Sequence, residues 1–451
     1  MTRKVSLKQR ISIKELCERL WEIEDTLNLN NWRANNCCIW LYLRMSIYYQ
    51  LTATLGIFEP QEEKKKSSFC HRLKNIFNEA IAATIQNVTH SGKKYDAIVF
   101  EHSRVSIMPN LEKGDIYSYH YRQVLKNEGK AVLSVREKLL GIEDSTNDSI
   151  SLFWISVKTV VYEKLVLLFK LQRFSKSELK TIHLIEHYIK EKFGVDVALK
   201  DMMLKYSIRY KFRQSQFKNL IKKSGVNEVK IVAPYDRKSD FVEAAKLCKI
   251  KVDELQHGVV SKYHLGYSYG SGEVNCDLLP NRLFLWSAFW NLGALFPKCC
   301  LTPKVINHYP FSHSLQSAKE KSVKPKQITI VSQGALTVPI SAFIINNSEL
   351  FQYFSIKYKL HPFEFGRVDE FNSLSALARW ENVEIIERCD LLSLLASSEY
   401  IIGVFSTVLL EAKEINPDAK VVILDLPGSE YFESSEGFLS QSEFLNLIDI
   451  S

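Results

Sequence analysis

Apolar and polar positions fall into blocks along this chain, and the sharpest boundary lies between residues 400 and 412. An apolar run from Tyr400 to Phe405 stops at Ser406-Thr407, and a helical pattern follows from Val408 to Ala412. The pattern predicts a buried parallel strand running straight into a helix. Ser406 and Thr407 then lie at the helix N-terminus, where unpaired N–H groups and the dipole favour an anion such as a phosphate. Taken alone the turn needs no ligand, because Ser406 serves as an N-cap either way.

The same texture recurs. Short β-rich runs at 97–100, 131–135, 229–233, 251–255 and 282–286 alternate with helical stretches at 119–128 and 239–248. A second series follows, with strands at 328–331, 353–360, 383–386, 400–405 and 421–424 and a helix at 391–397. Strands alternating with helices predict parallel α/β sheets. Residues 1–90 read as mostly helical, with apolar positions at Ile13, Leu16, Leu20 and Ile23; the charged run 62–66 reads as a solvated loop, and 150–224 as long helices. The polar stretch 311–326 is the best linker, so we expect two halves, 1–310 and 311–451. No sequence repeat relates them.

Two apolar stretches resemble membrane spans and fail the test. Residues 37–58 contain Arg44, and 152–169 contain Lys158, Glu163 and Lys164. A spanning helix needs about 20 mostly apolar residues without a central charge. Both read as buried or amphipathic helices, with burial of 37–58 against the first half preferred over a peripheral membrane contact.

Composition adds little to this outline. A length of 451 residues suits two domains, and 46% hydrophobic residues is ordinary for a globular protein. The net charge of +8 suits an anionic ligand, a nucleic acid or an anionic membrane without choosing among them. The lysines are dispersed, with no basic arm or stacking motif, so no nucleic-acid partner is expected. The nine cysteines include the neighbours Cys37-Cys38 and Cys299-Cys300 and no CxxC pair, which predicts reduced thiols, no zinc site and a cytoplasmic setting. The first fifteen residues alternate charge and apolar character, unlike a signal peptide.

Candidate chemistry gathers at predicted strand ends: Glu101-His102, Pro234-Tyr235-Asp236-Arg237, Gln256-His257-Gly258, Ser332-Gln333-Gly334, His361-Pro362-Phe363-Glu364 and Ser406-Thr407. Ligands of open α/β sheets bind beyond the carboxyl ends of strands, so six such clusters split over two halves point to an interdomain cleft. Gly258 would let backbone approach a ligand while His257 donates to a phosphate or leaving oxygen; a histidine capping a turn is the alternative. Pro362 ends its strand and fixes His361 at the edge. Glu364 either accepts from a hydroxyl or is a solvated loop acid. Glu411 either accepts from ribose or pairs with Lys413 or Lys420. Asp236 or Glu101 could serve as general base or as nucleophile, with Arg104 and Arg237 holding an acidic sugar; ion pairing in a loop is the alternative. The chain lacks a Walker loop, a GxGxxG turn, an HExxH pair and a DxD pair, so no metal is expected.

In their order, Gln256-His257-Gly258, His361-Pro362 and the stretch Gly403 to Ala412 resemble bacterial surface-polysaccharide glycosyltransferases of the GT-B fold. The pattern is most similar to sialyltransferases, polysialyltransferases and β-Kdo transferases of capsule and O-antigen (lipopolysaccharide) assembly, which use CMP-linked acidic sugars. Residues 39–44 and 95–104 also resemble segments of capsule-biosynthesis proteins. The resemblance implies an α/β fold of two Rossmann-like domains facing across a cleft, with a helical N-terminal region and a helical insertion. It implies that His361, Ser406 and Thr407 bind the CMP phosphate, with Gln256, Gly258, Gln333, Gly334, Pro362, Glu364 and Glu411 on the donor side. Asp236, then Glu101, would be the catalytic carboxylate, assisted by His257. The implied partners are a nucleotide sugar and a glycan or glycolipid acceptor at the inner face of the membrane, with no metal. The chain has no acidic pair followed by glycine of the polysialyltransferase kind, which counts against sialic acid itself. The same motifs are similar to CDP-glycerol glycerophosphotransferases, and a non-catalytic assembly protein that kept the fold is a third reading.

Overall fold

The computed structural model describes residues 11–58, 69–103, 105–107, 113–137, 148–271, 273–310, 322–416, 418–433 and 436–449. Its first lobe holds a parallel sheet of β1 (Ala97–Phe100), β2 (Val132–Arg136), β3 (Ser149–Ser151), β4 (Glu228–Val232), β5 (Lys251–Leu255), β6 (Arg282–Leu285) and β7 (Thr302–Val305). Their order is β7-β6-β5-β4-β1-β2-β3. Around it lie α1 (Ile13–Thr26), α2 (Ile39–Thr54), α3 (Phe69–Thr89), α4 (Ile116–Asn127), α5 (Phe153–Leu168), α6 (Lys176–Phe193), α7 (Lys200–Ser224) and α8 (Ser239–Leu247).

The second lobe holds β8 (Lys324–Val331), β9 (Ser355–Lys359), β10 (Val383–Ile386), β11 (Ser398–Gly403), β12 (Lys420–Ile423) and β13 (Leu439–Ser440), again all parallel, in the order β10-β9-β8-β11-β12-β13. Its helices include α9 (Thr337–Asn346), α10 (Leu391–Ala396), α11 (Thr407–Ile415) and α12 (Gln441–Asp449). Counted along each lobe, both sheets carry the strand order 3-2-1-4-5-6, extended by a seventh strand in the first lobe, and this order marks a dinucleotide-binding type of sheet. Two such lobes with their carboxyl ends facing each other make the GT-B arrangement that the resemblance implies.

Central strands are apolar and fully buried because helices cover both faces. β1 shows this, with Ala97, Ile98, Val99 and Phe100 all inaccessible. β5 breaks the rule with two buried acids. Side chains alternate along a strand, so Asp253 and Glu254 point to opposite faces. Asp253 is neutralised by Lys230 at 2.7 Å and Arg282 at 2.8 Å, whereas Glu254 faces the site described below.

The apolar stretch 37–58 is a core helix, as expected. Trp40, Leu43, Tyr48 and Leu51 of α2 are buried, and Arg44 is satisfied by Glu24 at 2.6 Å. The lobes touch through named contacts. Ile13 N–H donates to Glu430 Oε1 at 2.9 Å, and the Tyr48 and Tyr431 hydroxyls bond at 2.6 Å. Ser287 Oγ and Trp290 Nε1 both donate to Glu414 Oε1, at 2.9 and 2.8 Å.

Three details differ from the sequence reading. Residues 324–326, placed in the linker, begin β8; residues 311–321 lie outside the described residues. The short strands β3 and β7 lack the apolar runs that betray central strands. The helix α9 carries Pro339 in its first turn, where proline costs no internal hydrogen bond.

Candidate functional site

The loop after β5 meets the loop after β11. A Cβ on Gly258 would stand 3.8 Å from Thr407 Cγ2, so the two strand ends are in contact range across the lobes. His257, half-buried beside Gly258, is held at both ring nitrogens. Its Nε2 lies 2.9 Å from Tyr235 Oη and its Nδ1 lies 3.3 Å from Tyr267 Oη. Tyr267 in turn donates to Glu254 Oε1 at 3.0 Å. While Glu254 is ionised, Tyr267 spends its proton there, so His257 Nδ1 must donate to Tyr267 and Nε2 is left as the basic nitrogen. Burial pushes the Glu254 carboxyl up to about 8, so the state of this acid is linked to the tautomer of His257.

His102, at the end of β1, stacks on His257 with ring centroids 5.7 Å apart, and Tyr117 meets His257 edge-on at 5.9 Å. The His102 N–H donates to Asp115 Oδ2 at 3.0 Å, and Asp115 also caps α4 by accepting from Tyr117 N–H at 3.0 Å. Burial and then the nearby Glu101 push the Asp115 carboxyl up to about 6.

The predicted carboxylates separate. Glu101 is buried in a bidentate pair with Arg136, at 2.6 and 3.1 Å, and also meets Arg122 at 3.2 Å. Asp236 is largely exposed, with Arg237 Nε 3.7 Å away. Tyr235 and Asp236 are consecutive, yet Tyr235 turns to His257 while Asp236 lines a separate cavity of about 330 Å³ with Arg237, Arg213, Arg209 and Tyr206. Arg237 Nη1 donates to Tyr206 Oη at 3.1 Å. Arg104 lies outside the described residues.

On the second lobe Ser406 Oγ accepts from Val408 N–H at 3.3 Å, so it caps α11 as well as standing at the cleft. Gln333 Oε1 accepts from Phe405 N–H at 3.2 Å and ties the end of β8 to that of β11. Gly334 has no room for a side chain: a Cβ would lie 2.8 Å from Phe363 Cβ and 3.0 Å from His361 Nδ1. His361 Nδ1 accepts from Phe363 N–H at 3.2 Å, so its neutral ring carries the proton on Nε2, the form that donates to an anion. Pro362 is exposed beside it.

Three expected donor ligands are engaged with the protein. Glu364 is buried, accepting from Ser332 Oγ at 2.6 Å and His361 N–H at 2.5 Å; it shapes the His361 loop and is not a solvated acid. Gln256 is buried, donating to Gly258 O at 2.8 Å and accepting from Trp286 N–H at 2.8 Å. Glu411 faces Tyr309, whose hydroxyl is held well above its ordinary value by burial and then by that carboxylate. Lys420 pairs instead with Glu399 at 3.0 Å.

The expectation of no metal is corrected by Cys276, Cys299 and Cys300. Their sulfurs lie within 4.8 Å of one another, a soft ligand set that could hold a thiophilic ion such as zinc. Cys276 and Cys299 are joined as a disulfide, so the reading of all cysteines as reduced is corrected too. The two states exclude each other, because ligation needs free thiolates. These cysteines precede β6 and β7, at the amino ends of the strands and away from His257. Distant residues brought together by the fold left no CxxC signal to read.

No protein-family model matches this chain, and no curated protein matches it. Among solved structures it is similar to a UDP-GlcNAc 2-epimerase from Methanocaldococcus jannaschii, at 12% identity and TM-score 0.47, covering 78% of this chain and 91% of that one. It is also similar to the UDP-GlcNAc 2-epimerase from Neisseria meningitidis bound to UDP-GlcNAc, at 14% identity and TM-score 0.43, covering 78% and 89%. MurG from Acinetobacter baumannii is a third, at 12% identity and TM-score 0.40, covering 79% and 90%. These are likenesses of fold and carry no chemistry to this chain.

Proposed function

We propose that this chain is a glycosyltransferase that moves an acidic sugar, Kdo or a sialic acid-like nonulosonate, from a CMP-linked donor to a bacterial surface glycan of capsule or lipopolysaccharide type. The observation that carries the reading is the meeting of His257 with the Ser406-Thr407 helix start across Gly258. In this reading the donor phosphate takes the N–H groups of the α11 N-terminus and the Nε2 proton of His361. The bond between the anomeric carbon and the phosphate oxygen breaks, and an acceptor hydroxyl forms the new one. The departing phosphate oxygen is stabilised by the same N–H groups. The acceptor's proton goes to Asp236 or, when Glu254 is ionised and Tyr235 yields its place, to Nε2 of His257, and Arg237 beside Asp236 suits a carboxylate-bearing sugar.

The test compares CMP, CDP, UDP and GDP as thermal stabilisers, since a ligand at about 100 Kd adds roughly 2.7 kcal/mol. CMP should raise the melting temperature most. UDP, the nucleotide of the two UDP-GlcNAc 2-epimerases of similar fold, is the first competitor, and stabilisation by UDP without CMP would sink the donor assignment. CDP-glycerol turnover in place of CMP-sugar turnover would favour the glycerophosphotransferase reading. Hydrolysis of CMP-Kdo or CMP-sialic acid that survives in both His361→Ala and Asp236→Ala would remove those residues from the site.

A further inference from the structure

Soluble surfaces seldom gather large apolar side chains, and contiguous patches above a few hundred Å² mark a site of contact. α3 and α5 each expose several such side chains. They lean on each other, with Trp154 Nε1 donating to Thr84 Oγ1 at 3.0 Å. α3 exposes Phe77 (65%), Ile85 and Val88, and the end of α5 exposes Leu168 (71%), Phe169 and Leu171. These belong to helices whose inner faces are already packed. Glu79 of α3 accepts from Ser151 Oγ at 2.8 Å, and Glu163 of α5 pairs inward with Arg209.

Charge says what covers the patch. Within 73–89 and 153–173 the acids are Glu79 and Glu163, both buried, while Lys74, Lys158, Lys164, Lys170 and Arg173 are exposed. The surface is therefore apolar side chains interspersed with cations and without an exposed acid. A second copy of the chain would set these cations against their own equivalents. A headgroup layer of anionic lipid would meet them with opposite charge while accepting the apolar side chains.

We propose that the α3–α5 face docks on an anionic bilayer surface. The proposal deepens the membrane-side setting of the proposed transferase, and it concerns this face alone, since α2, the other apolar stretch, is core. No helix among the described residues is long and apolar enough to cross a membrane, so the contact is interfacial.

The test is co-sedimentation of the full chain with vesicles of phosphatidylglycerol or of phosphatidylcholine, with CMP binding measured in the same preparations. Binding to phosphatidylglycerol should exceed binding to phosphatidylcholine by at least about a hundredfold and weaken with salt. Leu168→Glu with Phe169→Glu should abolish it, and Lys164→Glu with Lys170→Glu should reduce it by at least about thirtyfold, both with CMP binding unchanged. Both pairs are solvent-exposed, and an unchanged melting temperature checks that the variants fold. Equal affinity for the two lipids, absence of binding, or indifference to both variants would overturn the docking. So would a dimer in sedimentation that Leu168→Glu dissociates, since the face would then be a self-association surface. CMP binding without vesicle binding leaves the transferase reading standing; vesicle binding without CMP binding does the reverse.

Discussion

The first lobe buries charge behind its strand ends, and the second presents neutral donors at its own. Around β1 and β5 of the first lobe, Glu101, Asp115, Lys238 and Glu254 are all nearly inaccessible. At the matching ends of β8 and β11 in the second lobe stand Ser332, Gln333, Ser406 and Thr407, with Glu364 as the one buried acid of that cluster. Buried ionisable groups are costly unless paired, and they respond strongly to protons. Hydroxyls and helix N–H groups bind an anion with little change across the pH range. The lobes thus divide the work, with proton handling on one side and anion holding on the other.

The largest effect expected from this contrast is on turnover. His257→Ala should lower donor turnover by about 10²–10⁴-fold, the range for a positioned acid or base, with little change in nucleotide affinity. His361→Ala should show the opposite split, losing nucleotide affinity first. Equal losses of both quantities in both variants would erase the division.

Stability comes next. Glu101→Ala leaves Arg136 and Arg122 buried with less countercharge and should cost about 3–5 kcal/mol in urea unfolding. A loss no larger than that of a surface acid would show that the carboxylate is open to ligand and not a structural anchor.

Proton linkage follows. Folding raises Glu254 from 4.5 to about 8 and Asp115 from 3.8 to about 6, so the folded chain holds these protons more tightly than the unfolded one. Their contribution is complete below about pH 4 and is lost as pH rises through the folded values. The urea midpoint should therefore fall between about pH 5 and pH 9, and Glu254→Gln should flatten the upper part of that fall. A Glu254→Gln curve with the same slope would remove this acid from the account.

The smallest effect lies in the second lobe. Ser406→Ala removes the α11 cap and should cost about 1 kcal/mol of stability, with a modest loss of CMP affinity. Affinity lost without stability would mean that the hydroxyl serves the ligand more than the helix.

Most of the frame was legible in residue order. The strands at 97–100 and 383–386 are bounded as the sequence predicts because runs rich in β-branched residues end at polar or turn residues, and 251–255 because it ends at Gln256-His257-Gly258. β3 and β7 were missed because edge strands of three or four residues, polar or proline-containing, carry no such signature. At the site, His257 and Ser406 were legible as polar residues closing strands. Their partners were not, because Tyr267 reaches His257 from a loop ten residues on, and His102 from another strand. One clue was present: two successive acids in β5, a central strand, cannot both be neutralised on one face. Glu254 needed a partner on the opposite side, and that side holds His257. The cysteine cluster joins positions more than twenty residues apart, which spacing alone does not reveal.

One helix described above looks two ways. The outer side of α5 carries the proposed lipid contact, while Ser156, Thr159 and Val160 help line the cavity that holds Asp236. Should that outer side rest on a bilayer, an acceptor anchored in the same leaflet would meet the cavity by lateral diffusion. Encounter would then be a search in two dimensions, governed by molecules per unit area and not by bulk concentration, and a weak intrinsic affinity for the acceptor would suffice.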